Sequence, residues 1–216
     1  MSINSSTGLI TWTPTAAGDY NVTVMVSDGA LFVTQSFIIT VGGSGTYAIG
    51  DTGPAGGHIF YDKGSYSNGW RYLEAAPVST EWTAKEWGSC GTLIGGIETG
   101  IGTGQSNTTI IVNWLNNNSD DTHGDVTYKT DRAAYLCDAL TVGGYSDWFF
   151  PSKDELNLMD KNLYDIATPV GGFTGSSYWS SSEYCANTAW RHAFHNGYQG
   201  VTSKLNTYRV RAVRAF

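Results

Sequence analysis

Short alternating runs of apolar and polar residues dominate both ends of the chain, and helical stripes are confined to its middle. Residues 1–41 contain three strand-like runs: Leu9 to Thr13, Asp19 to Ser27, and Leu31 to Val41. In the second run Tyr20, Val22, Val24 and Val26 recur at every other position, which predicts one buried face. Thr13-Pro14, Ala17-Gly18 and Asp28-Gly29 are turn signals between the runs. Further on, His58 to Asp62 and Trp70 to Ala75 read as strands joined by an Asn68-Gly69 hairpin turn. Strands return at Tyr178 to Glu183, Ala189 to His195 and Tyr208 to Phe216, with the stretch between the last two read as loop and hairpin.

Three helices fit the middle. The first, Ser106 to Asn116, offers Ile110, Ile111 and Trp114 as its apolar face. A second starts after Thr130, with Ala133, Ala134, Cys137 and Leu140 at helical spacing. The third opens with Ser152 as N-cap and Glu155 three residues on, a capping box, followed by Leu156, Met159 and Leu163 on one side. These stripes read as core. Residues 88–104 are glycine-rich, but the spacing fits neither a P-loop nor a dinucleotide fingerprint, so they read as a plain loop. Gly42-Gly43-Ser44-Gly45 reads as a short linker (42–46) between an all-β segment, 1–41, and an α+β domain, 47–216.

Composition sharpens this division. Charged residues are only 14% and aromatic residues 13% of the 216, with 27 glycines, which disfavours bundles, coiled coils and disorder. No apolar run approaches a membrane span, so no membrane insertion is expected. No signal peptide is visible at the start, and export then implies a removed segment, another route or assembly into a particle. The net charge of −7 makes nucleic acid an unsuitable partner. From Tyr184 onward, however, there are five Lys or Arg and no Asp or Glu. The alternation of Arg209, Arg211 and Arg214 predicts carboxylate partners elsewhere in the fold rather than an anion-binding patch. Cys90, Cys137 and Cys185 are odd in number and lack CxxC spacing, so neither a disulfide framework nor a metal site is expected, and Cys137 reads as core.

The string from Ile3 to Pro14, with Gly18-Asp19-Tyr20 and Val26-Ser27-Asp28-Gly29, resembles the C-terminal half of a bacterial immunoglobulin-like repeat. Three strands fall short of a sandwich of about seven. The resemblance therefore implies a truncated repeat, or one completed by packing on its neighbour or another chain, with packing on the second domain favoured because an unpaired edge invites association.

Four further strings resemble a second family. They are Gly53-Pro54-Ala55-Gly56-Gly57, then Gly69-Trp70-Arg71-Tyr72-Leu73-Glu74-Ala75-Ala76-Pro77, the run from Gly144 to Leu156, and Tyr178-Trp179-Ser180-Ser181-Ser182-Glu183 with the closing Arg209-Val210-Arg211-Ala212-Val213-Arg214-Ala215-Phe216. Together they resemble the C-type-lectin-fold domain at the ends of bacterial and phage adhesins, including collagen-like ones. Within that family the C-terminus most resembles the variable proteins of diversity-generating retroelements, whose 3′ coding ends are rewritten at adenines. The resemblance implies an α+β C-type lectin fold and a variable region at about 184–208.

Its fixed points fall on Trp179, Glu183, Ala189, Trp190, Phe194, Gly197, Gln199, Lys204, Arg209 and Arg211. Between them lie the implied ligand-binding positions: Tyr184, Ala186, Asn187, Thr188, Arg191, Ala193, His195, Asn196, Tyr198, Gly200, Val201, Thr202, Ser203, Leu205, Asn206, Thr207 and Tyr208. Codons of the type rewritten cannot encode Gln, Lys, Glu, Met or Trp. The exceptions in this window, Trp190, Gln199 and Lys204, sit on fixed points. Strand alternation adds a physical expectation: from Ala189 to His195, Trp190, His192 and Phe194 share one face, leaving Arg191, Ala193 and His195 on the other. His192 is thereby assigned to the scaffold face, where the family usually carries Gln.

The implied function is non-enzymatic: a display surface that binds a protein or glycan on a cell or virus, located on a virion (tail or fibre) or a cell surface. Tyr184, Tyr198, Tyr208, Arg191 and His195 are the candidate anchors, since Tyr and Arg supply large, planar contacts. A fixed-ligand bacterial adhesin is the alternative. Fold-related formylglycine-generating oxidases need a late cysteine pair, and Cys185 stands alone there, so no catalytic residue or cofactor is expected. The tripeptides of calcium-dependent sugar lectins are absent too, and the acidic stretch 118–125 reads as a solvated loop rather than a calcium site.

Overall fold

The computed structural model describes residues 2–4, 6–8, 10–12, 18–41, 46–118 and 126–216. The chain divides into two compact units, Met1–Thr46 and Tyr47–Phe216. The predicted linker Gly42 to Gly45, the turn signals at 13–17 and nearly all of the acidic stretch 118–125 lie outside the described residues.

In the first unit β1 (Ser2–Ile3) pairs with β2 (Ile10–Thr11), and β3 (Gly18–Ser27) pairs along its whole length with β4 (Phe32–Val41), both antiparallel. Asp28 closes the β3–β4 hairpin by accepting the backbone N–H groups of Ala30 and Leu31 at 2.9 and 2.8 Å. Of the alternating valines only Val22 is buried, and Val26 is 70% exposed.

The second unit is a mixed α/β structure built on two sheets. β5 (His58–Ser67) and β6 (Trp70–Ala75) form the predicted hairpin, with Asn68 and Gly69 at φ 51° and 85°, the left-handed pair a type I′ turn requires. β12 (Val213–Ala215) completes that sheet in the order β12-β6-β5. The other sheet runs β10-β9-β8-β11-β7, built from β7 (Trp82–Lys85), β8 (Ser177–Glu183), β9 (Thr188–Ala193), β10 (Tyr198–Ser203) and β11 (Tyr208–Val210). Two strands, β7 and β10, go beyond the sequence reading.

The predicted continuous strand from Tyr208 to Phe216 is instead broken at Arg211-Ala212, where the chain passes from one sheet to the other. The break has a cause. Ala212 gives its carbonyl to Ala76 N–H at 2.9 Å, while the Arg211 guanidinium donates to the Ala76 and Gly171 carbonyls and to Glu81. Fixing both backbone and side chain here ends one ladder and starts the next.

Helices α1 (Gly104–Asn117), α2 (Ala133–Asp138) and α3 (Lys153–Met159) match the three predicted. The buried face of α1 differs from the expected one. It comprises Asn107, Thr108, Ile111, Val112 and Leu115, with Ile110 and Trp114 only half-buried. Asn107 and Thr108 tolerate burial because their side chains bond Glu98, Ser181 and Gly104. Both capping-box bonds form in α3, and a π-helical turn, Asp160–Tyr164, carries its apolar stripe on to Leu163.

The core falls into two clusters. One gathers Trp87, Ile111, Leu115, Cys137, Phe150 and Trp179 beneath α1 and α2. The other gathers Phe60, Leu73, Leu156, Met159, Tyr178 and Phe194 around α3.

Buried carboxylates position the glycine-rich segments. Glu74, fully buried, accepts the N–H groups of Ala55 at 3.1 Å and Gly57 at 2.8 Å, so Gly53 to Gly57 wraps its side chain. A Cβ on Gly57 would lie 1.9 Å from the Ala75 carbonyl oxygen, which explains the glycine there. Glu155 likewise accepts Ser152 N–H at 2.7 Å and Gly102 N–H at 2.8 Å, and burial pushes its pKa up to about 7 against those donors.

Candidate functional site

The three serines of the Ser180-Ser181-Ser182 string are buried, and each has a bonding task. Ser180 Oγ donates to the Trp190 carbonyl at 2.9 Å, tying β8 to β9. Ser181 accepts the Asn107 amide at 3.0 Å, and Ser182 donates to the Glu98 carbonyl at 2.9 Å. At the end of β8, Glu183 accepts the N–H groups of Ile94 at 3.0 Å and Gly95 at 2.9 Å, and pairs with Lys204. Both side chains are buried, at 3% and 0% exposed.

The Lys204 ammonium also donates to the carbonyls of Thr92 at 3.3 Å and Ala186 at 3.1 Å, and lies 4.7 Å from the Trp87 ring centroid. One cation therefore holds the end of β10, the β8–β9 turn and the loop around Thr92. Backbone bonds from Gly91 N–H to the Ala186 carbonyl and from Lys204 N–H to the Asn187 carbonyl close the same junction.

The remaining scaffold residues are equally tied. Trp179 is fully buried and donates to the Lys85 carbonyl at 3.0 Å. Phe194 packs 4.4 Å from the Tyr178 ring and 5.3 Å from the His192 ring. All three late arginines have carboxylate partners: Arg209 and Arg211 share Glu81, and Arg214 makes a two-pronged bond to Asp147 at 2.9 and 3.0 Å. His192 is buried with its Nε2 2.8 Å from Asp160. Burial lowers the pKa of His192 and raises that of Asp160, so both are pushed towards their neutral forms.

Register decides what the intervening residues present. Arg191 lies opposite Trp179 of β8 and Gly200 of β10, so these share a face with Tyr198 and Thr202. Tyr198 is 57% exposed and Thr202 half-buried. Val201 lies opposite Trp190, so it projects from the other face of the sheet. That face is exposed at its rim, where Val201 is 42% and Tyr184 61% exposed and Tyr184 meets Trp190 edge-on at 5.8 Å. Asn187, His195, Asn196, Leu205, Asn206 and Thr207 are exposed in the turns, and Ala186, Thr188, Ser203 and Tyr208 are half-buried.

Two expectations need correction. Ala193 is only 1% exposed, because its methyl lies on the middle strand between Ser177 and Tyr198. Gly200 is buried as well, beneath the ring of Tyr198, and a Cβ there would lie 2.5 Å from that ring. Neither presents a side chain to a ligand. Along β9 the register keeps Arg191 and Ala193 on the face opposite Trp190 and His192, as alternation predicts, while the display set beyond that strand also takes in Val201 on the other face and the turns; Trp190 itself is half-buried.

Two concavities adjoin this surface. A groove of about 490 Å³ runs between β7 and the 175–177 segment, lined by Ser177, His195, Thr207, Tyr208 and Arg209 with Thr83 and Ala84. Ala84 holds a left-handed φ of 54° there, a conformation that costs a non-glycine residue energy. A second concavity of about 540 Å³ lies around Tyr164, Pro169, Asn196 and His195, so His195 borders both. The β7 and 175–177 contributions carry no local motif that sequence reading could have found. Their part emerges only from strand order.

Among the described residues no group of three or more His, Cys, Asp or Glu side chains is placed to hold a metal ion, and no helix is long and apolar enough to cross a membrane. Two family models match the chain. The model of the Lcl C-terminal domain matches residues 103–214, just over half of the 216. An Ig domain model matches residues 1–42. No curated protein matches the chain.

Proposed function

Because the chain belongs to the Lcl C-terminal domain family, an adhesin-type family, we propose that residues 47–216 carry a C-type lectin fold whose C-terminal surface binds a protein or glycan on a host or cell surface. The surface is varied by adenine-directed retroelement mutagenesis at 184–208, and the protein stands on a virion or cell surface. The buried Lys204–Glu183 pair carries this reading. It fixes the ends of a segment whose Tyr184, Asn187, Tyr198 and Val201 stand in solvent. Exchanging exposed side chains usually costs less than about 0.5 kcal/mol, whereas core exchanges cost several. A preformed surface also spares the ligand the ordering cost of a loose loop.

The fixed-ligand adhesin is favoured by one observation: Ala193, inside the supposed variable set, has no room for free exchange. Sequencing the flanking DNA separates the two. A near-copy of the 3′ coding end differing at adenines, beside a reverse transcriptase gene, supports diversification, and its absence leaves the fixed adhesin. At the protein level, combined Tyr184→Ala and Tyr198→Ala substitution should abolish retention on target cells without unfolding the chain.

A further inference from the structure

Arg191 is the one arginine among the described residues without a carboxylate partner. Arg71 pairs with Asp62, Arg132 with Glu86, Arg209 and Arg211 with Glu81, and Arg214 with Asp147 and Glu74. In a chain with a net charge of −7 an unmatched guanidinium is conspicuous, because carboxylates outnumber cations.

Arg191 is nevertheless held in place. Its Nη1 donates to Ser177 Oγ at 3.1 Å, and its guanidinium carbon lies 5.7 Å from the Tyr198 ring and 5.6 Å from the Tyr208 ring. Both distances are within cation–π range. Tyr208 is fixed in turn by an edge contact with Trp179 at 4.8 Å. The Arg191 Nε is buried with no acceptor, a standing cost. Its remaining donors are on the terminal nitrogens, and its hydrogen-bond partner Ser177 and ring partner Tyr208 both line the groove beside β7.

We propose that Arg191, clamped between Tyr198 and Tyr208, is the anchor for a single carboxylate presented by an acidic side chain of a protein partner. This rests on the display-surface reading above and adds the chemistry of the ligand. A planar guanidinium matches a carboxylate with two parallel hydrogen bonds, and the flanking tyrosines add contact area around the pair. A polyanionic glycan fits less well. It needs several unpaired cations in a row, whereas Arg209, which lines the same groove as Ser177 and Tyr208, is already committed to Glu81. The excess negative charge of the chain would also repel a polymer of anions more than one carboxylate.

The test uses the whole chain and follows the Arg191 side-chain Nε–H resonance by NMR, identified by its loss in Arg191→Gln. The probes are an acetylated, amidated Tyr-Glu-Tyr peptide, the same peptide with Gln in place of Glu, and heparin. The Glu peptide should shift the resonance saturably and bind at least about tenfold more tightly than the Gln peptide. Arg191→Lys, which keeps the charge but loses the planar fork, should weaken the Glu peptide by a similar factor. Equal binding of the two peptides, no shift in a folded protein, or a stronger response to heparin than to the Glu peptide would overturn the proposal. Failure of this test while combined Tyr184→Ala and Tyr198→Ala substitution still abolishes cell retention would reject the carboxylate and spare the display surface. Failure of both would reject the surface as well.

Discussion

Replacing Lys204 by Met keeps most of the apolar stem of the side chain but removes the ammonium, and with it the cation–π contact with Trp87. Three acceptors then lose their donor in a buried site: the Glu183 carboxylate and the Thr92 and Ala186 carbonyls. Glu183 retains the N–H groups of Ile94 and Gly95, so its charge is not wholly orphaned. Breaking one side of a buried pair typically costs 3–5 kcal/mol, and the partial rescue of Glu183 offsets the two lost carbonyl bonds, giving about 4 kcal/mol. For a domain of this size that lowers the melting midpoint by roughly 10 °C. Seven of the eight tryptophans lie in residues 47–216, so intrinsic fluorescence during urea or thermal unfolding reports on this unit. The comparison that matters is with Tyr198→Ala and Val201→Ala, which should each change stability by less than about 0.5 kcal/mol. If Lys204→Met costs under about 1 kcal/mol, or if the exposed substitutions cost as much as it does, the segment is not held by a framework distinct from its display residues.

Other perturbations probe the same separation. Ala193→Leu should destabilise by about 1–3 kcal/mol through overpacking, while Thr202→Leu on the same face should cost little; equal tolerance in a thermal-shift assay would restore Ala193 to the display set. Gly57→Ala should cost more than about 2 kcal/mol or prevent folding, because its methyl would strike the Ala75 carbonyl oxygen, and a normal melting curve would contradict the account of the 53–57 turn. Glu155 has a folded pKa of about 7 against 4.5 unfolded, so its contribution is fully present below pH 4.5 and is lost as pH rises through 7, a swing of about 3 kcal/mol. Urea midpoints at acid and alkaline pH should therefore diverge more for the parent chain than for Glu155→Gln, and identical pH slopes would refute the assignment.

Local signals carried the reading of elements well. Ser152 and Glu155 announced α3 because a capping box is closed by side chains three residues apart, and Asn68-Gly69 announced its turn because both residues must adopt left-handed φ. What failed was what depends on partners distant in sequence. β7 is a four-residue strand whose pairing with β11 cannot be read from Trp82 to Lys85 alone. β10 contains Gly200 and mixed polar residues, which weaken its strand signal, yet pairing with β9 along six positions overrides that. The alternation argument ordered His192 and Phe194 correctly against Arg191. It missed the burial of Ala193, because burial of a methyl depends on the neighbouring strands rather than on its own parity.

The paired charges near the C-terminus explain why a surface so close to the chain end can be rigid. Glu81, just before β7, is gripped by Arg209 on β11 and by Arg211 at the crossing between sheets, and also accepts the Tyr178 hydroxyl at 3.1 Å from β8. Arg214 on β12 reaches Asp147 and Glu74, joining the other sheet to the segment before α3. An apolar core alone would tolerate small slips of one sheet over the other, since apolar contacts are non-directional. Directional, charge-assisted bonds to carboxylates on three separate elements restrict such slips. The same logic isolates Arg191. It lies on the same sheet as Arg209 with the same chemistry, but where the other described arginines each have a carboxylate partner, its guanidinium has a hydroxyl, Ser177, and two tyrosine rings.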